Sequence, residues 1–416
     1  MRIVPVEELQ PGMVLGRAVY GERGEVLLQG NVILSERYIE ALKSRGFRGV
    51  YVCNGLADDV EPQEIVSERV RILVRRHVHG LFNLVQHSAR KATGRDRLDA
   101  AELAREAEPY LLQLGDDVDA IVDEILQAET VGGVTSLKSH DNYSFEHPLE
   151  VTVVGVMLGR RLGLSSDELR ELALGCVLHD IGKLFVPAEI LNKPGRLTEQ
   201  EREVVCQHPQ IGYELVKSLV PDPSVIARHV VWQHHERQDG TGYPRGLNGR
   251  NRVEYNVTQR LGQKRILLAA ELAAVADVYS AIASDRPYRP AMKPLEIVSC
   301  LREVAGRHLN REIVERFLSI LPPYPIGTEV VVTAGRLRGY RGVVTSVDAA
   351  TQNRPTVRFV LDPDGRAIDP FEVDTSRDAE IKIGPPPHTP PAPRRGPSRR
   401  QNGPSDAATC RRTPST

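Results

Sequence analysis

Leu172-Ala173-Leu174-Gly175-Cys176-Val177-Leu178-His179-Asp180-Ile181-Gly182-Lys183 is an apolar run that ends on a histidine and an aspartate. A run of this kind reads as a buried helix, with His179 and Asp180 standing where it ends. An ionised aspartate there needs a partner, because a charge buried alone is costly. A metal ion compensates an aspartate and a neutral histidine together. The plain alternative is a helix-terminal histidine beside a solvated aspartate, and the dipeptide by itself favours that alternative.

Two other stretches change the balance. Ala269-Ala270-Glu271-Leu272-Ala273-Ala274-Val275-Ala276-Asp277-Val278 is almost continuously apolar, and acids are rarely placed in such a helix unless paired. A salt bridge to an arginine, or an exposed helix position, would equally account for Asp277. Val231-Trp232-Gln233-His234-His235-Glu236-Arg237-Gln238-Asp239-Gly240-Thr241-Gly242-Tyr243-Pro244 sets two adjacent histidines at a helix end, before a Gly-rich loop. Two such rings can approach one ion from different directions, and the glycines permit backbone angles that other residues resist. Asp-Gly-Thr-Gly taken alone is a turn. Across all fourteen residues, coincidence becomes a poor explanation.

Composition bounds the rest. The 416 residues suggest two or three folded units. Charged residues at 26% and hydrophobic residues at 41% fit a soluble globular protein. Lys+Arg 54 against Asp+Glu 55 argues against a generally basic nucleic-acid binder. From Pro385 onward six arginines face Asp406 alone, which makes that tail +5 and leaves −6 for the rest. Five scattered cysteines without a CxxC pair form no disulfide framework and fit a reducing cytoplasm. Glu7 and Glu8 follow Met1 too soon for a secretory segment, and Glu271 and Asp277 interrupt the most apolar stretch, so no transmembrane segment is expected.

Five pieces are expected along the chain. Residues 1–58 read as a small N-terminal α/β module, with Ser35 as an N-cap for a helix over 36–45 closed by Gly46. Residues 59–129 form a helical linker or regulatory region. Apolar positions from Ile65 to Val85 recur there at three- and four-residue spacing, a break falls at Thr93-Gly94-Arg95, and Leu114-Gly115-Asp116 reads as the start of a third helix. The stripe on 61–129 suits either intrachain packing or a homodimer seam. Residues 130–325 are an all-α block whose helices include 148–162, 166–176, 199–208, 212–219, 266–284 and 294–305. Ser165 with Glu168 and Thr198 with Glu201 read as capping boxes. After Pro322-Pro323 the period changes to two, which suggests a small β-barrel over 326–384. Residues 385–416, rich in Pro and Arg, lack the apolar content to fold and are expected to be disordered.

His179-Asp180-Ile181-Gly182-Lys183, His234-His235-Glu236 and Asp239-Gly240-Thr241-Gly242-Tyr243-Pro244 together resemble the HD-GYP family of cyclic di-GMP phosphodiesterases. Pro187–Thr198, His208-Pro209 and Arg286-Pro287-Tyr288-Arg289 are similar to the family in order and spacing, so the resemblance covers about residues 140–320. It implies an all-α HD-domain bundle holding two divalent metal ions, iron or manganese. The implied ligands are His147, His179, Asp180, His208, His234, His235 and Asp277, with Asp180 bridging. His147, His179 and Asp277 would complete one site, and His208, His234 and His235 the other. Lys183 would offset charge on the phosphodiester and protonate the leaving group, Arg286 and Arg289 would bind phosphate or guanine, and Tyr243 would stack or pack under its loop. The implied activity is hydrolysis of cyclic di-GMP to pGpG or onward to GMP in the bacterial cytoplasm. Another cyclic nucleotide, or a low-activity module that binds nucleotide or protein partners through Gly240–Pro244, are the alternatives.

The chain departs from the family pattern at several points. Some members hold a third ion through a glutamate four residues before the first histidine; here that residue is Tyr143, and Glu146 has the wrong offset. Ser280 stands where an acid is usual, which puts affinity or nucleotide preference in question. Arg250–Lys264 is longer than the usual link, and Pro148 follows His147, which the first turn of a helix tolerates. No receiver, diguanylate-cyclase or DNA-binding motif is evident, and no DNA partner is expected.

Overall fold

The computed structural model describes residues 1–21, 25–45, 47, 49–53, 55, 58–60, 65–92, 100–128, 143–220, 225–255, 264–284, 292, 294–348 and 351–386. The tail beyond residue 386, the break at 93–95, Gly46, and both Arg286 and Arg289 lie outside that set.

At the N-terminus, β1 (Arg2–Pro5) pairs antiparallel with β4 (Gly49–Val52), and β2 (Val19–Tyr20) with β3 (Val26–Leu28). The helix between them, α1 (Glu36–Ser44), starts at Ser35, whose side chain accepts from the Tyr38 amide. Val4, Leu15, Leu34, Leu42, Val50 and neighbours form a separate small core under these elements.

Two long helices follow, α2 (Glu68–Ala92) and α3 (Ala100–Gln127). Leu114-Gly115-Asp116 does not open a new helix. Leu114, Val118, Ile121, Val122 and Ile125 continue one buried stripe along α3, and that burial outweighs the ~1 kcal/mol that a mid-helix glycine costs. The stripes of α2 and α3 are buried in the same apolar core as the helices that follow, so they pack within the chain and do not stand free as a dimer seam.

That shared core is completed by α4 (Tyr143–Arg161), α5 (Ser166–Leu178), α8 (His208–Leu219), α9 (Val225–Gln233), α10 (Leu268–Ala283), α11 (Pro294–Val304) and α12 (Arg311–Leu318). Two shorter helices, α6 (Ala188–Leu191) and α7 (Glu199–Cys206), lie between α5 and α8. Both expected capping boxes are present at Ser165 and Thr198. One boundary bears on the site: His208 is the first residue of α8, with Pro209 behind it, and does not end α7. The many alanines of α10 let it run buried between α4 and α9. No described helix is long and apolar enough to cross a membrane.

The C-terminal strands are β5 (Glu329–Ala334), β6 (Arg341–Ser346), β7 (Thr356–Leu361), β8 (Ala367–Asp374) and β9 (Lys382–Gly384). They form an antiparallel sheet in the order β8-β7-β6-β5-β9, in which the outer strands β8 and β9 each have one partner. The expected closed barrel is therefore replaced by an open five-stranded sheet among the described residues. Alternating burial specifies strands and their faces, whereas closure depends on pairing between strands remote in sequence. Arg358 of this sheet forms a two-oxygen ion pair with Asp59, at 2.7 and 2.6 Å, and Val60 packs on Val343.

The short 3-10 turn Ile181–Phe185 sits on α8 through a glycine contact. A Cβ placed on Gly182 would lie 2.0 Å from the His208 carbonyl oxygen and 2.8 Å from the Gly212 nitrogen. Gly182→Ala should therefore part the turn from α8 and destabilise the fold by about 1–3 kcal/mol or more. A lowered thermal midpoint is the expected result, and an unchanged midpoint would contradict this packing.

Candidate metal centre

Most of the candidate ligands are delivered from at or near the end of a helix. His147 lies in the first turns of α4, His179 caps the C-terminus of α5, and Asp180 opens the turn Ile181–Phe185. His208 begins α8, and His234 and His235 directly follow α9. Asp277 projects from the interior of α10.

These side chains converge on Asp180, and the ligand atoms fall into two groups: Asp180, His208, His234 and His235, and His147, His179 and Asp277. Asp180 Oδ2 lies 3.4 Å from His179 Nε2 and 3.9 Å from His147 Nε2. Asp180 Oδ1 lies 3.4 Å from His208 Nε2 and 3.7 Å from His234 Nε2. His147 Nε2 is 3.2 Å from Asp277 Oδ1. The two carboxylate oxygens thus face different histidine groups.

Hydrogen bonds at the far side of the rings fix their tautomers. His179 Nδ1 donates to the Cys176 carbonyl at 2.7 Å, and His208 Nδ1 to the Val205 carbonyl at 2.7 Å. His234 Nδ1 donates to the Val231 carbonyl at 2.9 Å. A carbonyl only accepts, so the proton is on Nδ1 and each neutral ring turns an Nε2 lone pair inward. Burial disfavours the charged ring at three of the histidines: it lowers His179 to about 4 and also lowers His208 and His235. Burial would raise the Asp180 carboxyl, but the fields of His179 and Lys183 hold it well below the usual carboxylate range. His147 is raised: burial acts against its charged form, and the hydrogen bond and field of Asp277 outweigh it.

The consequence is a pocket rich in lone pairs around Asp180 Oδ1. Asp180 Oδ1 is buried and has no hydrogen-bond partner. Around it stand imidazole lone pairs, with the Nε2 atoms of His208 and His234 only 3.3 Å apart. Such an arrangement is unfavourable unless a cation sits among the donors. Mixed imidazole and carboxylate donors suit a divalent transition metal, so the residues fit metal binding. Lys183 Nζ donates to Asp180 Oδ2 at 2.6 Å from a side chain that is 34% exposed.

Tyr243 packs its ring on His235, with centroids 4.8 Å apart, and its own amide donates to the His235 carbonyl at 3.2 Å. Its loop is anchored by a residue whose role the sequence did not disclose. Glu236, 2% exposed, accepts from the Arg245 amide at 2.8 Å and from the Leu247 amide at 2.7 Å. Burial raises its pKa despite these donors. Gln238 donates to buried Glu271 at 2.9 Å, and Gln233 accepts from the Leu267 amide at 2.9 Å, which ties the His234-His235 segment to the start of α10. Only their place beside two histidines could have pointed to them. Arg286 and Arg289 are outside the described residues, and Tyr143 and Glu146 lie in a helix whose side chains there are not described.

Residues 135–251 match a family model described as HD domain. The chain is 34% identical over 259 residues to a cyclic di-GMP phosphodiesterase of Pseudomonas aeruginosa, covering 62% of this chain and 58% of that protein. It is 36% identical over 165 residues to the cyclic di-GMP phosphodiesterase response regulator RpfG of Xanthomonas campestris, covering 40% of each. It is 34% identical over 198 residues to 3'3'-cGAMP-specific phosphodiesterase 1 of Vibrio cholerae, covering 47% of this chain and 41% of that protein. The chain thus spans roughly half the length of these relatives. The helical block is an HD domain. Its His234–Pro244 motif resembles that of the HD-GYP family.

Glu236→Ala would leave two backbone amides without their acceptor, at about 1–3 kcal/mol each. The loop should then open, and trypsin should cut faster at Arg237, Arg245 or Arg250. Digestion no faster than in the unaltered chain would contradict the anchoring role.

Proposed function

We propose that the chain is a metal-dependent phosphodiesterase that hydrolyses cyclic di-GMP to pGpG and/or GMP in bacterial second-messenger signalling. The observation that carries this reading is the buried, unpartnered Asp180 Oδ1 among inward-facing histidine nitrogens, in a domain whose relatives include enzymes named for that activity. Two divalent ions, iron or manganese, would supply Lewis acidity there to activate water and to offset charge on the phosphodiester.

The chain's own residues have distinct tasks in this reading. His147, His179 and Asp277 would hold one ion, His208, His234 and His235 the other, and Asp180 would serve both through its two oxygens. Lys183 keeps Asp180 ionised and presents a partly exposed ammonium that can offset phosphate charge and protonate the leaving oxygen. Tyr243 braces His235, a packing role. Arg286 and Arg289 would bind phosphate or guanine, an assignment that rests on the sequence alone.

We further propose the division into 1–58, 59–129, 130–325, 326–384 and 385–416, with 130–325 carrying the catalytic residues. In this division α2 of the 59–129 segment lies against the turn that holds Lys183, a direct route from the N-terminal half to the site. The N-terminal module and the open C-terminal sheet, joined through Asp59 and Arg358, would form the regulatory side. Any homodimer through 61–129 would use the solvent-facing side of these helices, where Leu112 is exposed. A protein partner at Gly240–Pro244 would meet exposed Thr241 and neighbouring Arg245. With such a substrate the protein would act in the cytoplasm.

A second reading, hydrolysis of a mixed cyclic dinucleotide on the same residues, is favoured by the similarity to the Vibrio cholerae 3'3'-cGAMP-specific enzyme. Assay of the full chain with Mn²⁺ or Fe²⁺ under reducing conditions separates the readings. Cyclic di-GMP should be consumed faster than 3'3'-cGAMP, with Asp180→Ala inert and Lys183→Ala slowed on the order of 10²-fold. Binding of cyclic di-GMP without turnover on either metal would refute the enzymatic reading.

A further inference from the structure

His179, His208 and His234 are oriented by carbonyls within three residues of themselves. His147 is oriented from another helix. Its Nδ1 lies 2.9 Å from Ser280 Oγ, one turn beyond Asp277 on α10. Ser280 Oγ donates to Glu150 Oε2 at 2.6 Å, and Ser284 Oγ donates to the same oxygen at 2.9 Å. Glu150 lies on α4 three residues after His147, so the chain of contacts leaves α4, crosses to α10 and returns. Ser280 is 1% exposed and Glu150 7%, which leaves water little part in it.

The direction of these bonds follows from proton counting. A hydroxyl has one proton, and a carboxylate can only accept. With the Ser280 proton directed at Glu150, the Ser280 oxygen is left to accept from His147. Nδ1 of His147 must then carry a proton, so the ring holds Nε2, which bonds Asp277 Oδ1 at 3.2 Å, on the side of Asp277 and Asp180, where its lone pair would be free for a cation that displaces the Nε2 proton. A carboxylate reached through a hydroxyl thereby sets both the tautomer and the angle of this ring.

We propose that Glu150 is a positioning residue of the metal centre, acting through Ser280 to orient His147 for the ion shared with His179 and Asp277. This rests on the metal-centre reading above. The relay serves one ion only, because His208, His234 and His235 lie on the other side of Asp180. Loss of an outer-shell partner of this kind weakens metal binding about 10–100-fold.

Stepwise Mn²⁺ titration of the chelator-treated full chain, followed by calorimetry under reducing conditions, tests the proposal. Glu150→Gln and Ser280→Ala should each weaken one of two binding steps 10–100-fold and leave the other unchanged. Ser280→Thr, which keeps the hydroxyl, should bind as the unaltered chain does. Glu150→Gln combined with Ser280→Asp sets a carboxylate directly beside His147 and should recover the weakened step. Unchanged affinities in Glu150→Gln and Ser280→Ala, equal weakening of both steps, or equal losses in Ser280→Thr and Ser280→Ala would overturn the relay. An unaltered chain that takes up no Mn²⁺ would instead overturn the metal-centre reading, and the relay with it.

Discussion

A carboxylate buried among imidazole lone pairs is the constraint on which the rest of this molecule depends. Asp180 is ionised and Oδ1 has no hydrogen-bond partner, while Oδ2 is held by Lys183. Three of the histidines around it, His179, His208 and His234, direct their Nδ1 protons outward to carbonyls. A protein interior normally matches buried acceptors with donors. Here the donors face away, and the deficit is the form of a cation site.

The helical scaffold is arranged to sustain that deficit. Candidate ligands at helix ends are placed by backbone geometry, so their positions follow from how α5, α8 and α9 pack rather than from long flexible side chains. Gly182 permits the turn after Asp180 to touch α8 at the carbonyl of His208, which brings two elements that carry candidate ligands into van der Waals contact. Alanines along α10 bring Asp277 to the same point between α4 and α9. Glu236, Gln238 and Gln233 fasten the loop and helix that carry His234 and His235.

Much of this could be read in the residues themselves. His179-Asp180 after an apolar run, paired histidines before a Gly-rich loop, and an acid inside an apolar helix each announce chemistry through residue type and order, and the structure brings all seven named side chains together. What escaped depends on contacts between distant elements. Glu150 looks like one more helix acid until α10 sets Ser280 and Ser284 against it. Ser280 looked like a loss relative to the family pattern, yet from α10 it connects His147 to the Glu150 carboxylate on α4. Gly115 suggested a helix break because local propensity is weak beside the burial of Leu114 and Val118. Period-two alternation after Pro323 identified strands without fixing how their edges meet.

Anomalous diffraction from crystals of the full chain grown with Mn²⁺ tests the central claim most directly. Two peaks about 3.5–4 Å apart are predicted, one among His147, His179 and Asp277, the other among His208, His234 and His235, with Asp180 between them. A single peak, or peaks that do not flank Asp180, would contradict the account.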